Sequence, residues 1–135
     1  MKPVVLPELR LRRFWFSIGV AIAVVVAVLC LAPGRSIPDV NVSDKIKHFA
    51  AFAMLAFWFG SILVRRDLLW LALALLTFGA LIEVAQELMR LGRNGEVRDL
   101  IADALGMLLG LAVALTPLGQ WARWFETLLL TGQRR

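Results

Sequence analysis

A stretch of 19 residues without a charge, FWFSIGVAIAVVVAVLCLA, occupies positions 14–32 and constrains the fold more than any other feature. At about 1.5 Å per residue, a helix of this length crosses the hydrocarbon core of a bilayer, which is roughly 30 Å thick. The apolar part of a signal peptide is shorter, about 7–15 residues, and precedes a small-residue cleavage site. Leu29 before Cys30 does not fit a lipoprotein cleavage motif. We therefore expect an uncleaved membrane span.

Three further apolar stretches follow the first, and polar loops separate them. The predicted spans are 14–32, 44–64, 68–89 and 100–118. In the tail, 120–130, aromatic and leucine side chains recur every three or four residues, which is typical of a short helix in the membrane interface. The chain is 60% hydrophobic, against about 45–50% for a soluble domain. We expect an all-α, integral membrane four-helix bundle that forms a single domain over 1–135.

The distribution of charge predicts the orientation of this bundle. With four spans both termini lie on one side, which carries nine basic and three acidic residues, whereas the other side carries six basic and seven acidic residues. The positive-inside rule places the termini in the cytoplasm, so we expect a multi-pass protein of the bacterial cytoplasmic membrane. The bases form short clusters between apolar runs rather than a stripe with interleaved aromatics, which argues against a nucleic-acid partner.

Three ionisable residues lie deeper in the apolar segments than the charges near the ends of the spans, at positions where a charge is costly. His48, Glu83 and Asp103 each lie 17 residues from the predicted cytoplasmic end of their own span. At one common rise per residue they reach the same height, roughly one turn below the outer surface. The sequence therefore predicts a shared polar level on three helices.

Helical spacing places further polar residues on the same helix faces as these three. Residues three or four apart on the same helices form the sets Asp44/His48, Glu83/Gln86/Glu87/Arg90 and Asp99/Asp103. Gly106 and Gly110 continue the last face, and small residues spaced by four let helices approach closely. Gly60 and Gly119 lie outside this pattern and are expected to be less constrained. We expect a crevice open to the outer side, with close helix packing below it.

The same residues resemble the VanZ-like family of small membrane proteins over about residues 40–115. The family pattern D-K-x-x-H-F is matched by Asp44, Lys45, His48 and Phe49, its E-x-x-Q by Glu83 and Gln86, and its third block by Arg93, Asp99 and Gly106. Asp103 stands where many members carry asparagine. The resemblance implies a membrane protein whose namesake is associated with resistance to the glycopeptide teicoplanin. It implies no accepted reaction and no defined catalytic residue.

The candidate ligand-binding site is the polar set Asp44, Lys45, His48, Glu83, Gln86, Arg93, Asp99 and Asp103. A binding or accessory protein of the cell envelope is the favoured class, with a lipid headgroup, a cell-wall precursor or a membrane protein as partner, beside the lipid bilayer itself. Arginine recognises phosphate or carboxylate through two parallel hydrogen bonds, which suits such partners. The alternative is a purely structural role, in which these charges cap helix ends or form hydrogen bonds that join the helices.

Two other functional classes are weaker. An enzyme acting on a lipid-linked substrate would use His48 as general base, an aspartate to orient it and Arg93 to hold phosphate. No H-E-x-x-H, G-x-S-x-G or nucleophilic cysteine arrangement supports it. An ion-coupled transporter would need a path, yet the cytoplasmic halves of the four spans carry no ionisable group.

The three residues at the shared polar level could also bind a metal ion. His48, Glu83 and Asp103 would supply one nitrogen and two carboxylates, a donor set that zinc accepts. The arginines of the 90–98 loop disfavour a cation, so the sequence predicts no metal and no cofactor.

Overall fold

The computed structural model describes residues 5–32, 43–89 and 96–132, which form five α-helices. The helices are α1 Arg12–Leu31, α2 Asp44–Ile62, α3 Leu68–Met89, α4 Val97–Ala114 and α5 Trp121–Gly132. Short 3-10 helices, Arg65–Asp67 and Pro117–Gln120, precede α3 and α5. Over the described ranges the extended pairing is limited to an isolated bridge between Val5 and Leu63. The predicted all-α class is confirmed.

The fourth helix ends earlier than predicted, at Ala114 rather than near residue 118. The backbone of Thr116 is extended, with φ −82° and ψ 173°. A residue that precedes proline is pushed out of the helical region by the proline ring, so Pro117 ends the helix. The chain then turns by 73° into the segment Pro117–Leu129.

Two of the described helices are long and apolar enough to cross a membrane, Arg12–Leu31 and Arg65–Met89. A third span results if Val97–Ala114 and Pro117–Leu129 are counted as one bent element. Helix α2 is not among these candidate spans, and its first turn carries the charged residues Asp44, Lys45 and Lys47. By length and composition, the described part of the chain therefore supports a membrane protein with two or three spans.

Helices α2 and α4 form the most extensive helix pair. A Cβ on Gly106 would lie 2.1 Å from the carbonyl oxygen of Phe49, and one on Gly110 would lie 2.2 Å from that of Ala53. Only glycine permits backbones to approach this closely. The expectation that Gly119 is less constrained is wrong, since its Cβ would lie 1.9 Å from the Ala114 oxygen.

The hydrophobic core centres on α2, whose Phe52, Leu55 and Ile62 are fully buried. Helix α1 packs at the periphery and leaves valines exposed, with Val24 57% and Val28 61% accessible. In water such a surface would be costly, whereas in lipid it is the expected exterior.

A buried polar region lies where α5 meets the start of α1. Glu126 of α5 is 4% exposed, and its carboxylate accepts hydrogen bonds from the backbone N–H groups of Arg10 and Leu11 at 2.8 and 2.9 Å. The indole N–H of Trp15 donates to the same carboxylate at 2.8 Å. N–H groups at a helix start have no partner within the helix, so Glu126 caps α1. We call Glu126 and its three donors the cap region.

Candidate functional site

The structure brings together three of the predicted site residues, one from each of three helices. His48 of α2 lies with its Nδ1 3.0 Å from Oδ1 of Asp103 on α4 and 3.8 Å from Oε1 of Glu83 on α3. The exposed fractions of His48, Glu83 and Asp103 are 1%, 9% and 0%. We call these three residues the polar cluster. Its members are more deeply buried than charged residues in proteins usually are.

Glycine packing sets the geometry of the cluster. Phe49, whose backbone touches Gly106, directly follows His48, and Gly106 lies three residues after Asp103. The close approach of α2 and α4 at this contact therefore places the imidazole beside the carboxylate. The sequence reasoning missed Gly79, which precedes Glu83 by one turn and whose Cβ would lie 2.6 Å from Oδ2 of Asp103. The G-x-x-x-E spacing on α3 is the signal that could have found it.

A second, more exposed polar layer covers one side of the cluster. The ammonium of Lys45 lies 3.0 Å from Oε2 of Glu96 and 3.6 Å from Oδ1 of Asp99. The side chains of Lys45 and Glu96 are 45% and 51% exposed, whereas that of Asp99 is 9% exposed. Lys45 lies in the polar first turn of α2, and its ammonium donates a hydrogen bond to Glu96. We call Lys45, Glu96 and Asp99 the outer layer.

One backbone hydrogen bond joins the two layers. The N–H of Glu96 donates to Oε2 of Glu83 at 2.7 Å. The other carboxylate oxygen, Oε1, is then the one that faces His48. No sequence pattern indicates this contact, because the donor is a main-chain group that any residue at position 96 would supply.

Two of the predicted site residues lie elsewhere. Gln86 is buried, but its side chain donates to the carbonyl oxygen of Cys30 on α1 at 2.8 Å rather than to the polar cluster. Asp44 lies at the exposed start of α2, with Oδ1 3.1 Å from the ammonium of Lys47. Arg90 and Arg93 lie outside the described residues.

The polar cluster and its neighbour Asp99 contain side-chain atoms without a hydrogen-bond partner among the described residues. These buried atoms are Nε2 of His48, Oε1 of Glu83, Oδ2 of Asp103 and Oδ1 of Asp99, of which the last still forms an ion pair with Lys45 at 3.6 Å. Leaving a buried polar atom unpaired costs about 1–3 kcal/mol, and more for a charged group. Three of the four atoms are carboxylate oxygens, so the site can accept hydrogen bonds, take up protons or ligate a cation.

The fold and the polar cluster together define a class of protein. An apolar all-α chain with a buried histidine and two buried carboxylates drawn from three helices is a small membrane protein with a buried polar site. The family model described as VanZ/LLP1 matches residues 5–118, and the chain belongs to that family. The resemblance drawn from the sequence motifs is thereby confirmed. No curated protein matches the chain, and no solved structure does.

Proposed function

We propose that the protein is a multi-pass protein of the bacterial cytoplasmic membrane, with one domain over 1–135, four spans and both termini in the cytoplasm. The charge distribution supports this orientation. In helix α5, Trp124, Phe125 and Leu128 are 50%, 49% and 74% exposed while Glu126 is buried. A helix with this division lies in the interface. The polar cluster then faces the outer side.

Reporter fusions test the orientation. A reporter that is active only outside the cytoplasm is fused after Arg135 and, separately, inserted at residues 92–96. The proposal expects an inactive C-terminal fusion and an active loop fusion. The reverse pattern would place the polar cluster on the cytoplasmic side and overturn the outward-facing site.

We further propose that the protein is a non-catalytic accessory or binding protein of the cell envelope. The partially exposed outer layer offers the ammonium of Lys45, and below it the polar cluster offers unpaired acceptors and an imidazole. This combination suits the polar head of a lipid or of a lipid-linked cell-wall precursor, which carries both acceptor and donor groups. A membrane-protein partner and a link to glycopeptide resistance of the teicoplanin type are further forms of the same role.

The unpaired atoms of the polar cluster are the observation that carries this proposal. A cluster that only joined helices would be expected to satisfy its own hydrogen bonds, since unpaired buried groups lower stability. A ligand-binding site keeps such groups available.

An enzyme acting on a lipid-linked substrate is the second candidate. Asp103 holds Nδ1 of His48 at 3.0 Å, and Nε2 has no partner within the described ranges. An aspartate that orients one ring nitrogen while the other is available is the arrangement of a general base.

Native mass spectrometry of protein extracted with its own lipids tests the binding role. The expected result is a reproducible lipid adduct that Glu83→Gln and His48→Ala reduce by at least about tenfold. Asp67→Asn, which alters a carboxylate at the other end of α3, is the matched control and should keep the adduct. Equal adducts in all four proteins would overturn the binding site. Conversion of the bound lipid to a new mass over time would favour the enzyme.

A further inference from the structure

We propose that the polar cluster binds a divalent first-row transition-metal ion, for which Zn²⁺ is the representative. The ligands are Nδ1 of His48 and one carboxylate oxygen each from Glu83 and Asp103. This assignment reverses the expectation from the sequence alone. It does not rest on the proposed function, because metal binding is measured without any lipid.

The spacing of the donor atoms is the first argument. Zinc binds nitrogen and oxygen ligands at about 2.0–2.2 Å in tetrahedral geometry, so two ligands of one ion lie about 3.3–3.6 Å apart. The imidazole Nδ1 lies 3.0 Å from the Asp103 oxygen and 3.8 Å from the Glu83 oxygen, values that bracket this range. One donor atom from each residue can be chosen so that all three lie within 4.8 Å of one another. These distances are compatible with one ion held between the three side chains.

The charge of the site is the second argument. A neutral imidazole and two ionised carboxylates carry two negative charges in a region from which water is largely excluded. Bringing two carboxylates together there is unfavourable unless a cation or protons compensate them. The ammonium of Lys45 pairs with Glu96 and Asp99 in the outer layer instead. A divalent ion would balance the charge of the polar cluster.

The unpaired atoms are the third argument, and they are independent of the spacing. Oε1 of Glu83 and Oδ2 of Asp103 are buried and lack hydrogen-bond partners in the described part of the chain. The N–H of Glu96 holds the other oxygen of Glu83 at 2.7 Å, which turns Oε1 toward His48. Hydrogen bonds from outside the ligand set commonly orient metal ligands in this way.

The arginines of the 90–98 loop would disfavour a cation only if their side chains lay beside the polar cluster. Within the described ranges no arginine forms an ion pair with the polar cluster, whose charged contacts are those among His48, Glu83 and Asp103 themselves. Arg90 and Arg93 fall outside those ranges.

The test is metal binding by the full-length protein in detergent. The protein is stripped with EDTA, dialysed against Zn²⁺ alone and assayed for bound metal by elemental analysis. We expect one Zn²⁺ per chain, and an affinity at least about tenfold weaker in Glu83→Gln, Asp103→Asn and His48→Ala. Glu126→Gln changes a buried carboxylate of the cap region and is the matched control, which should bind as the unchanged protein does.

A second readout separates loss of the site from loss of the fold. Co²⁺ in place of Zn²⁺ should give visible absorption bands of a tetrahedral site in the unchanged protein and in Glu126→Gln. Glu83→Gln keeps the size of the side chain and an acceptor for the Glu96 N–H, so it decides the matter if His48→Ala does not fold. Stoichiometry well below one ion per chain, or equal affinity in Glu83→Gln, would overturn the metal site and leave a cluster that shares protons.

Discussion

The cap region and the polar cluster both contain buried carboxylates, but the two regions differ in how those carboxylates are hydrogen-bonded. In the cap region, Glu126 receives three hydrogen bonds, two from the start of α1 and one from Trp15. In the polar cluster, Glu83 and Asp103 each keep one buried oxygen without a hydrogen-bond partner among the described residues. Burial is nearly the same, at 4% exposure for Glu126 and 9% for Glu83. The difference lies in how completely the oxygens are satisfied.

This contrast separates two uses of a buried charge. A carboxylate that satisfies otherwise unpaired helix N–H groups stabilises the fold, because the groups on both sides would be unpaired without it. A carboxylate with an unpaired oxygen contributes less to stability than its burial costs. The close packing of α2 and α4 around the polar cluster depends on the contacts of Gly106 and Gly110 with the backbone of α2.

Gly106→Ala is the substitution with the larger expected effect on this comparison. Its Cβ would lie 2.1 Å from the Phe49 oxygen, so α2 and α4 must separate. We expect the free energy of unfolding to fall by about 2–3 kcal/mol, measured as thermal unfolding in detergent. In Gly60→Ala the new methyl would meet the Ala114 methyl at 2.9 Å, so this control should lose less.

An unchanged unfolding temperature in Gly106→Ala would contradict the claim that glycine packing holds the polar cluster together. A loss as large in Gly60→Ala would show instead that any added methyl at a helix contact has the same effect.

The architecture could be read from the sequence to a large extent because it depends on local, repetitive signals. Helix α3 has the predicted bounds, since an uninterrupted apolar run leaves few alternatives. The sequence predicts that α4 ends near residue 118, whereas the helix ends at Ala114, because Pro117 pushes the preceding Thr116 out of the helical conformation. Whether α2 crosses the membrane could not be settled by counting, because its charged first turn lowers its mean hydropathy.

The candidate site was only partly readable. His48, Glu83 and Asp103 could be grouped because equal distances along three helices give equal heights. Gln86 shares a face with Glu83, yet it turns to Cys30, since a helix face is wide enough to touch two neighbours. Glu126 could not have been identified as a cap, because its donors lie more than 110 residues away in sequence.

Thermal unfolding of Glu83→Gln and Glu126→Gln, compared in the same detergent with EDTA present, tests the central claim most directly. EDTA removes any stabilisation by bound metal, so the measurement reports the polar contacts alone. We predict that Glu126→Gln loses about 1–2 kcal/mol, because an amide group then faces N–H donors. Glu83→Gln should keep or raise the stability, because glutamine still accepts from the Glu96 N–H and removes an uncompensated charge. A loss in Glu83→Gln as large as that in Glu126→Gln would contradict the account and make the polar cluster structural.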